Sequence, residues 1–532
     1  MASAPPLAKE RMPLWSRKSV RLRVVILLAA ALSIEGLMRS NLNMAYVCMV
    51  KESHLEPPRR HNSSFDACPV LVMGNSESQR HEYTGTLEWS SRERAYLFPV
   101  FYFGGLVAAF TTEFLDRKVG SSRAVLVGAV VNVVGTMATP WISVHLGPVV
   151  LAVVRFIMGY GQGVLMPAMS VLIARWFPVV EKSTALAIAT TGNQISVILS
   201  MALTAEICRL PLFEGWPAAF YLYGALGIVL CVWWWKGMAD YPSECPSVSL
   251  EEREYICGAP ALVKDAVKIR RKPKPRWGAV LSSPVVWSIC GSSFCHNFIV
   301  VSFSTYLPFY YKSVHNMSLV SNGFWSTLPF IVQFLAKVVF ASFADTSNKR
   351  QWMSVTAVTK ICNSTGSFGI ACALLALASF DCSNRMWAVA AACTAMAFIS
   401  GYVPGYNTSV VCVAPSQTAA IASWSRIWAQ IGMTLAPFLI GLVVTTGRVD
   451  EWRWMFTAMA GLCIITGVFF QCCGSAAVQP WNSAQPSEVD RTRDVERLLV
   501  VDSSLHKTHL PTPDLPSDSG SDGKTSTPSP MP

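Results

Sequence analysis

A chain of 532 residues that is 52% hydrophobic and only 14% charged is too apolar for a soluble protein of this length. Its formal net charge of +11 gathers in loops and tails, not in a basic surface interleaved with aromatics, which argues against nucleic acid as a partner. The sixteen cysteines are scattered, with no CxxC pair and no Cys/His cluster at zinc spacing, so neither a metal nor a cofactor is expected.

Residues 1–21 are polar and basic, and the apolar run after them is too long for a cleavable signal peptide. Twelve apolar windows then recur at 22–50, 93–113, 124–142, 148–174, 184–207, 217–237, 284–311, 322–343, 352–380, 387–413, 418–446 and 454–473. Each is long enough to cross about 30 Å of hydrocarbon as a helix. The expectation is an all-α membrane protein with twelve transmembrane helices. No His-Glu-x-x-His, Gly-x-Ser-x-Gly or carboxylate pair lies in the windows, which speaks against an enzyme.

Loop charge sets the orientation. Loops 114–123, 175–183, 238–283 and 344–351 are rich in Lys and Arg, as is the N-terminal tail, while 143–147, 312–321 and 381–386 are poor in them. Both termini are therefore expected in the cytoplasm, with the long loop 51–91 outside or in a lumen. That loop carries a glycosylation sequon at Asn62, and a second sequon at Asn316 falls on the same side. Cys68, Cys208 and Cys382 also fall there, and whether any of them pair is left open.

Two echoes divide the chain. Asp116-Arg117 after the second span is echoed by Asp345 to Arg350 after the eighth, and Trp216-x3-Phe220 entering the sixth by Trp452-x3-Phe456 entering the twelfth. The expected organisation is a cytoplasmic tail (1–21), a six-helix bundle (22–237), a basic cytoplasmic linker (238–283), a second six-helix bundle (284–473) and a disordered cytoplasmic tail (474–532) rich in Ser, Pro, Thr and Asp. The tail holds Asp494-Val-Glu-Arg-Leu498-Leu499, an acidic dileucine pattern of the kind endocytic adaptors bind. The bundle repeat places a substrate site between the halves near the midplane.

Charges inside the windows point to that site. Arg155 opens an almost uncharged run, and a guanidinium in an apolar span costs roughly 2.5–3.5 kcal/mol on insertion scales. Its charge points to an anion. Arg39 lies mid-span with Glu35 one turn earlier, a spacing at which side chains meet. Glu35 is thus either an internal partner of Arg39 or a coupling group. His296 in the seventh span and Arg426 in the eleventh are further cavity candidates, Arg426 as an added anion ligand or as the partner of a carboxylate. Asp116 with Arg117, and Asp345 with Arg350, are expected to hold cytoplasmic helix ends together as gates. Gly159, Gly161 and Gly163 lack the strand and Lys-Ser/Thr of a phosphate loop. They are read as close helix packing.

The Asp-Arg-Lys-x-Gly-x2-Arg loop at 116–123 resembles the signature of the major facilitator superfamily. Arg39-Ser-Asn41-Leu-Asn43, Arg155 through Pro167-Ala168, Trp176-Phe-Pro178 to Glu181-Lys182, and Tyr241-Pro-Ser-Glu-Cys-Pro246 resemble its anion:cation symporter family, which includes sodium/phosphate cotransporters, sialin and the vesicular glutamate and nucleotide transporters. The resemblance implies alternating-access transport of organic anions or phosphate, driven by a proton or sodium gradient or by membrane potential. It implies that Arg39 and Arg155 face a central cavity, where a guanidinium grips an oxyanion with two hydrogen bonds. It also marks departures. Gln162 stands where many members carry a glutamate, Phe98 where glutamate transporters carry a histidine, and His296 where they carry an arginine.

The expected function is secondary transport of a small organic anion or inorganic phosphate, in the plasma membrane or an endolysosomal or vesicular membrane. Gln162 joins Arg39, Arg155, His296 and Arg426 as a substrate-binding candidate, and membrane lipid is the surrounding partner. A nucleotide-like or urate-like anion is the alternative cargo. A transport-incompetent sensor retaining the fold is the alternative of another class.

Overall fold

In the computed structural model the described residues are 19–51, 85–178, 181–210, 215–245, 247–257 and 276–482. They contain no strand; the only bridge among them joins Val50 and Leu87. Contacts divide the chain into Met1–Val478 and Gln479–Pro532. The helices described below belong to the first unit; of the second, only residues 479–482 are described. Asn62, Cys68 and the dileucine residues Asp494, Leu498 and Leu499 lie outside the described residues.

The N-terminal half holds α1 (Val20–Met49), α2 (Ser91–Val119), α3 (Ser121–His145), α4 (Gly147–Trp176), α5 (Lys182–Arg209) and α6 (Trp216–Gly237). Two short helices, α7 (Leu250–Cys257) and α8 (Trp277–Ser282), lie in the linker. The C-terminal half holds α9 (Pro284–Ser313), α10 (Leu319–Lys349), α11 (Val355–Ser379), α12 (Arg385–Ile399), α13 (Tyr406–Cys412), α14 (Thr418–Val443) and α15 (Val449–Cys473). Eleven segments, from α2 onward and counting α12–α13 as one, are long and apolar enough to cross a membrane. With the thirty-residue α1 they make the twelve expected helices.

Local chemistry starts and stops these helices. Ser90 and Glu93 form a capping box on α2. Gly120, at φ 91°, turns the chain between α2 and α3, a conformation that glycine adopts without strain. Proline in the first turn opens α4, α6 and α9, where its missing N–H costs nothing. Ser19 makes no side-chain cap on α1. Glu252 of α7 does so instead, accepting from Val20 N at 3.1 Å and Arg21 N at 3.2 Å.

The same packing scheme is built twice. In the N-terminal half α1 packs on α5, α2 on α4, and α3 on α4 and α6; in the C-terminal half α9 packs on α14, α10 on α12, and α11 on α12 and α15. Between the halves, α2 meets α14 and α10 meets α5, while α1 meets α9.

The three glycines of α4 are packing residues. A Cβ on Gly159 would sit 1.8 Å from Phe101 O, and one on Gly163 would sit 2.6 Å from the Ala108 Cβ, both on α2. Gly161 faces Gly128 of α3 instead. The tenth span is not one helix. It breaks into a 3-10 turn, Ser400–Tyr402, and Pro404-Gly405 before α13 restarts. Broken backbone at membrane depth survives where protein or a cavity surrounds it, and Ser400, Gly401 and Tyr402 are all buried. The Ser400 hydroxyl donates to Gln333 O at 2.9 Å.

Cys382, which begins the turn before α12, is disulfide-bonded. Cys208 is a free thiol. Asn316 is exposed in the turn between α9 and α10, at φ 45°.

Candidate substrate site and gates

Arg39 and Arg155 come together on the N-terminal half. Arg39 is half-buried on α1, and its Nη2 donates to Asn193 Oδ1 of α5 over a long 3.4 Å. Arg155, on α4, is 3% exposed. Its Nη2 donates to the Arg39 backbone carbonyl at 3.4 Å, its guanidinium lies 4.6 Å from the Phe101 ring centroid, and its Nε has no hydrogen-bond partner. Arg39 is the accessible cation, and Arg155 sits behind it. Neither makes an ion pair among the described residues.

Glu35 does not close on Arg39 as the one-turn spacing suggested. It is 3% exposed, and neither carboxyl oxygen has a hydrogen-bond partner. Arg39 turns to α5 instead, which leaves the carboxyl inside the bundle. Gln162 is half-buried on α4, with its Oε1 buried and unpartnered.

His296 and Arg426 are not with that pair. They meet each other on the C-terminal half through Tyr406 of α13. His296 Nδ1 lies 3.0 Å from the Tyr406 hydroxyl, and the Arg426 guanidinium lies within electrostatic range of that same hydroxyl. The His296 ring stacks on Tyr402 at 5.3 Å and 22°. Tyr402 and Tyr406 were not singled out from the sequence. The signal available was Pro404-Gly405 inside an apolar window, since such a pair breaks a helix and leaves flanking side chains free to converge.

The halves meet at the end of the bundle that carries the 51–90 loop. There Asn43 Nδ2 donates to Ser304 O at 2.9 Å, Lys312 Nζ to Val47 O at 3.2 Å, and Arg94 Nη2 to Val444 O at 2.6 Å. The Arg94 guanidinium also lies over the Phe309 ring at 3.9 Å. Deeper in, Gly105 of α2 admits Gln430 of α14, whose Nε2 would lie 2.6 Å from a Cβ there. Arg94, Lys312 and Gln430 carried no sequence expectation, because each acts on a helix distant in the chain.

At the linker end, charged side chains of the N-terminal half form a network. Asp116 pairs with Arg175 of α4 at 3.3 Å, and Arg175 pairs with Asp240 at 3.3 Å as well. Asp240 also accepts from Ser122 N at 2.9 Å. The Arg117 side chain is outside the described residues. Asp345 and Arg350 make no ion pair among the described residues; both are exposed at the end of α10, and Arg350 lies over the Trp352 ring at 5.4 Å. Five residues apart on a helix, they point about 140° from one another at 3.6 residues per turn. Beside this network the fully buried Arg21 is held by Glu181 and by Glu252 at 3.1 Å, with Tyr255 under its guanidinium at 4.6 Å. Burial would raise the Glu252 carboxyl, but the hydrogen bonds from Val20 N, Arg21 N, Ser19 Oγ and Arg21 Nε outweigh it and hold the group below its ordinary value.

Among the described residues no group of His, Cys, Asp and Glu could hold a metal ion. The arrangement offers guanidinium donors, not a reacting pair.

Residues 28–365 match the family model of the Major Facilitator Superfamily. Human sialin is 26% identical over 466 residues, covering 87% of this chain and 91% of sialin. A Drosophila melanogaster protein named as a putative inorganic phosphate cotransporter is 27% identical over 473 residues, covering 88% of each chain. Among solved structures, a bacterial homologue of the human lysosomal transporter Spinster, inward-facing and unoccupied, aligns with a TM-score of 0.60 at 13% identity, over 86% of this chain and 98% of that one. At that identity the likeness shows the fold alone. The chain is a multi-pass membrane protein of the major facilitator superfamily, a transporter and not an enzyme, and it is similar to proteins named as sialin and as a putative inorganic phosphate cotransporter.

Proposed function

We propose that the protein carries a small organic anion or inorganic phosphate across its membrane by alternating access, with Arg39 as the charge ligand and Arg155 holding it in place. The observation that carries this reading is the half-buried Arg39 guanidinium, which has one long hydrogen bond and no ion pair among the described residues, the Glu35 carboxyl lying within electrostatic range but not bonded to it. A guanidinium has five donors in a fork that matches an oxyanion. A relative named as an inorganic phosphate cotransporter supports an anionic cargo.

Loop charge assigns the linker end and both termini to the cytoplasm. The contacts of Asn43, Arg94 and Lys312 join the halves at the opposite end, which supports a conformation open toward the cytoplasm. The Asp116–Arg175–Asp240 network is the cytoplasmic gate of the N-terminal half, and Asp345 and Arg350 are its counterparts on α10, to be engaged when the halves close. Glu35 is the coupling candidate: a buried, unpartnered carboxyl one turn from the substrate arginine. The Asp494–Leu499 segment is offered as an adaptor signal for endolysosomal or vesicular delivery.

Uptake into proteoliposomes from a panel of small anions, under imposed proton, sodium and voltage gradients, tests the reading. Uptake of at least one anion is expected, with Glu35→Gln losing its dependence on the proton gradient. No uptake under any gradient would favour a sensor that has kept the fold.

A further inference from the structure

The C-terminal half has a cation, Arg426, with which no carboxylate pairs among the described residues. Between residues 284 and 449 the sequence contains two carboxylates, Asp345 and Asp381, and both are exposed at helix ends. Arg426 lies within α14, half-buried, and among the described residues no carboxylate pairs with it; its electrostatic neighbour is Tyr406. Arg426 was read from the sequence as an added anion ligand or as the partner of a carboxylate, and the described residues favour the first. The Lys337 amine on α10 adds a second basic group near His296. A guanidinium stays protonated at any working pH, and in a medium of low dielectric its charge calls for a counter-ion.

Its direction follows from its register. Arg426 is four residues from Gln430, so the two share one face of α14. Gln430 packs on Gly105 of α2. Arg426 therefore faces the N-terminal half one turn nearer the linker end than that contact. Arg155 stacks on Phe101, one turn from Gly105 in the opposite direction. The Arg155 and Arg426 levels thus differ by two turns, about 11 Å at 5.4 Å per turn.

We propose that Arg426, with the Tyr406 hydroxyl beside it, is a second anion station on the C-terminal half, so that the cavity holds two anionic groups at once. The inference rests on the reading of Arg39 as the first. The second group is either another acid on the transported molecule or a separate inorganic anion; both offer the same chemistry to the guanidinium.

The test is anion-dependent thermal stabilisation of the purified full-length chain in nanodiscs, with propionate, adipate and inorganic phosphate as probes. In the wild type a two-acid cargo predicts adipate binding at least tenfold tighter than propionate. R426Q should then weaken adipate about tenfold while leaving propionate within twofold, and R39Q should weaken both. A separate inorganic anion predicts that phosphate stabilises the propionate-saturated wild type further and R426Q not at all. R426K should retain the second anion, and Y406F should weaken it about threefold, which keeps the test informative should R426Q not fold. The proposal is overturned if R426Q leaves both the adipate and the added-phosphate effects unchanged, or weakens propionate as much as adipate. Loss on R426Q with no effect of R39Q would overturn the Arg39 reading alone. No stabilisation by any probe would overturn both.

Discussion

Arg155 donates a 3.4 Å hydrogen bond to the backbone carbonyl of Arg39, joining two cations that lie 116 residues apart in the chain. One arginine is accessible and the other supports it, so their substitutions should differ in kind. Arg39→Gln removes charged hydrogen bonds to the anion, each worth about 1.5–3 kcal/mol, and should lower kcat/KM for uptake roughly tenfold to a hundredfold. Arg155→Gln should act mainly on KM, with a smaller total loss. Concentration-dependent uptake by both variants checks this, and equal losses with unchanged KM for Arg155→Gln would remove its positioning role.

Close packing of α4 on α2 predicts a sharp contrast among glycines. Gly159→Ala brings a Cβ against Phe101 O, whereas nothing lies within 4 Å of a Cβ at Gly461. Overpacking costs typically about 1–3 kcal/mol, so Gly159→Ala should lower the thermal midpoint in detergent by several degrees while Gly461→Ala leaves it unchanged. Differential scanning fluorimetry separates them.

Two groups outside the spans make stability depend on pH in the acid range. His315, between α9 and α10, is pushed down to about 4 by burial, with Arg385 adding to the shift and a bond to the Cys382 backbone opposing it. The unfolded histidine takes up its proton near 6.5 and the folded one near 4, so stability falls as pH drops across that window. Glu252, held below its ordinary value of 4.5, contributes stability above that value and loses it as pH falls further. His315→Gln should flatten the midpoint between pH 6.5 and 4. Glu252→Gln should lower it at neutral pH, by roughly 1–3 kcal/mol for the lost buried bonds, and flatten only the region below 4.5. A His315→Gln profile with the wild-type slope would contradict the first assignment.

Sidedness can be read from glycan chemistry. Asn316 is exposed in its turn, which supports modification from a lumen or the outside. Expressed in cells, the protein should shift in mass on glycosidase treatment, and Asn62→Gln with Asn316→Gln together should abolish the shift. An unshifted wild type would leave the charge asymmetry as the sole support for the orientation.

The helices were legible because an apolar run of about twenty residues has few alternatives to a spanning helix, and Gly159 and Gly163, four residues apart, share the face packed on α2 while Gly161 turns to α3. Arg39 and Arg155 were legible for the opposite reason, as charges where charge is costly. Their partners were not. Asn193 reaches Arg39 across 154 residues, and Arg175 of α4 takes Asp116 of α2 across 59 residues. The apolar window at 387–413 hid the Pro404-Gly405 break, since hydropathy averages over a backbone defect. Glu252 capping α1 across the linker followed no local pattern at all.

The central claim is that Arg39 grips a transported anion. The direct measurement is uptake of inorganic phosphate and a panel of radiolabelled organic anions into proteoliposomes containing wild type, Arg39→Gln or Arg39→Lys at equal reconstituted amounts. The account predicts saturable uptake by the wild type, loss of at least tenfold in Arg39→Gln and partial retention in Arg39→Lys, whose amine keeps the charge without the fork. Uptake by Arg39→Gln at the wild-type rate and KM would contradict it.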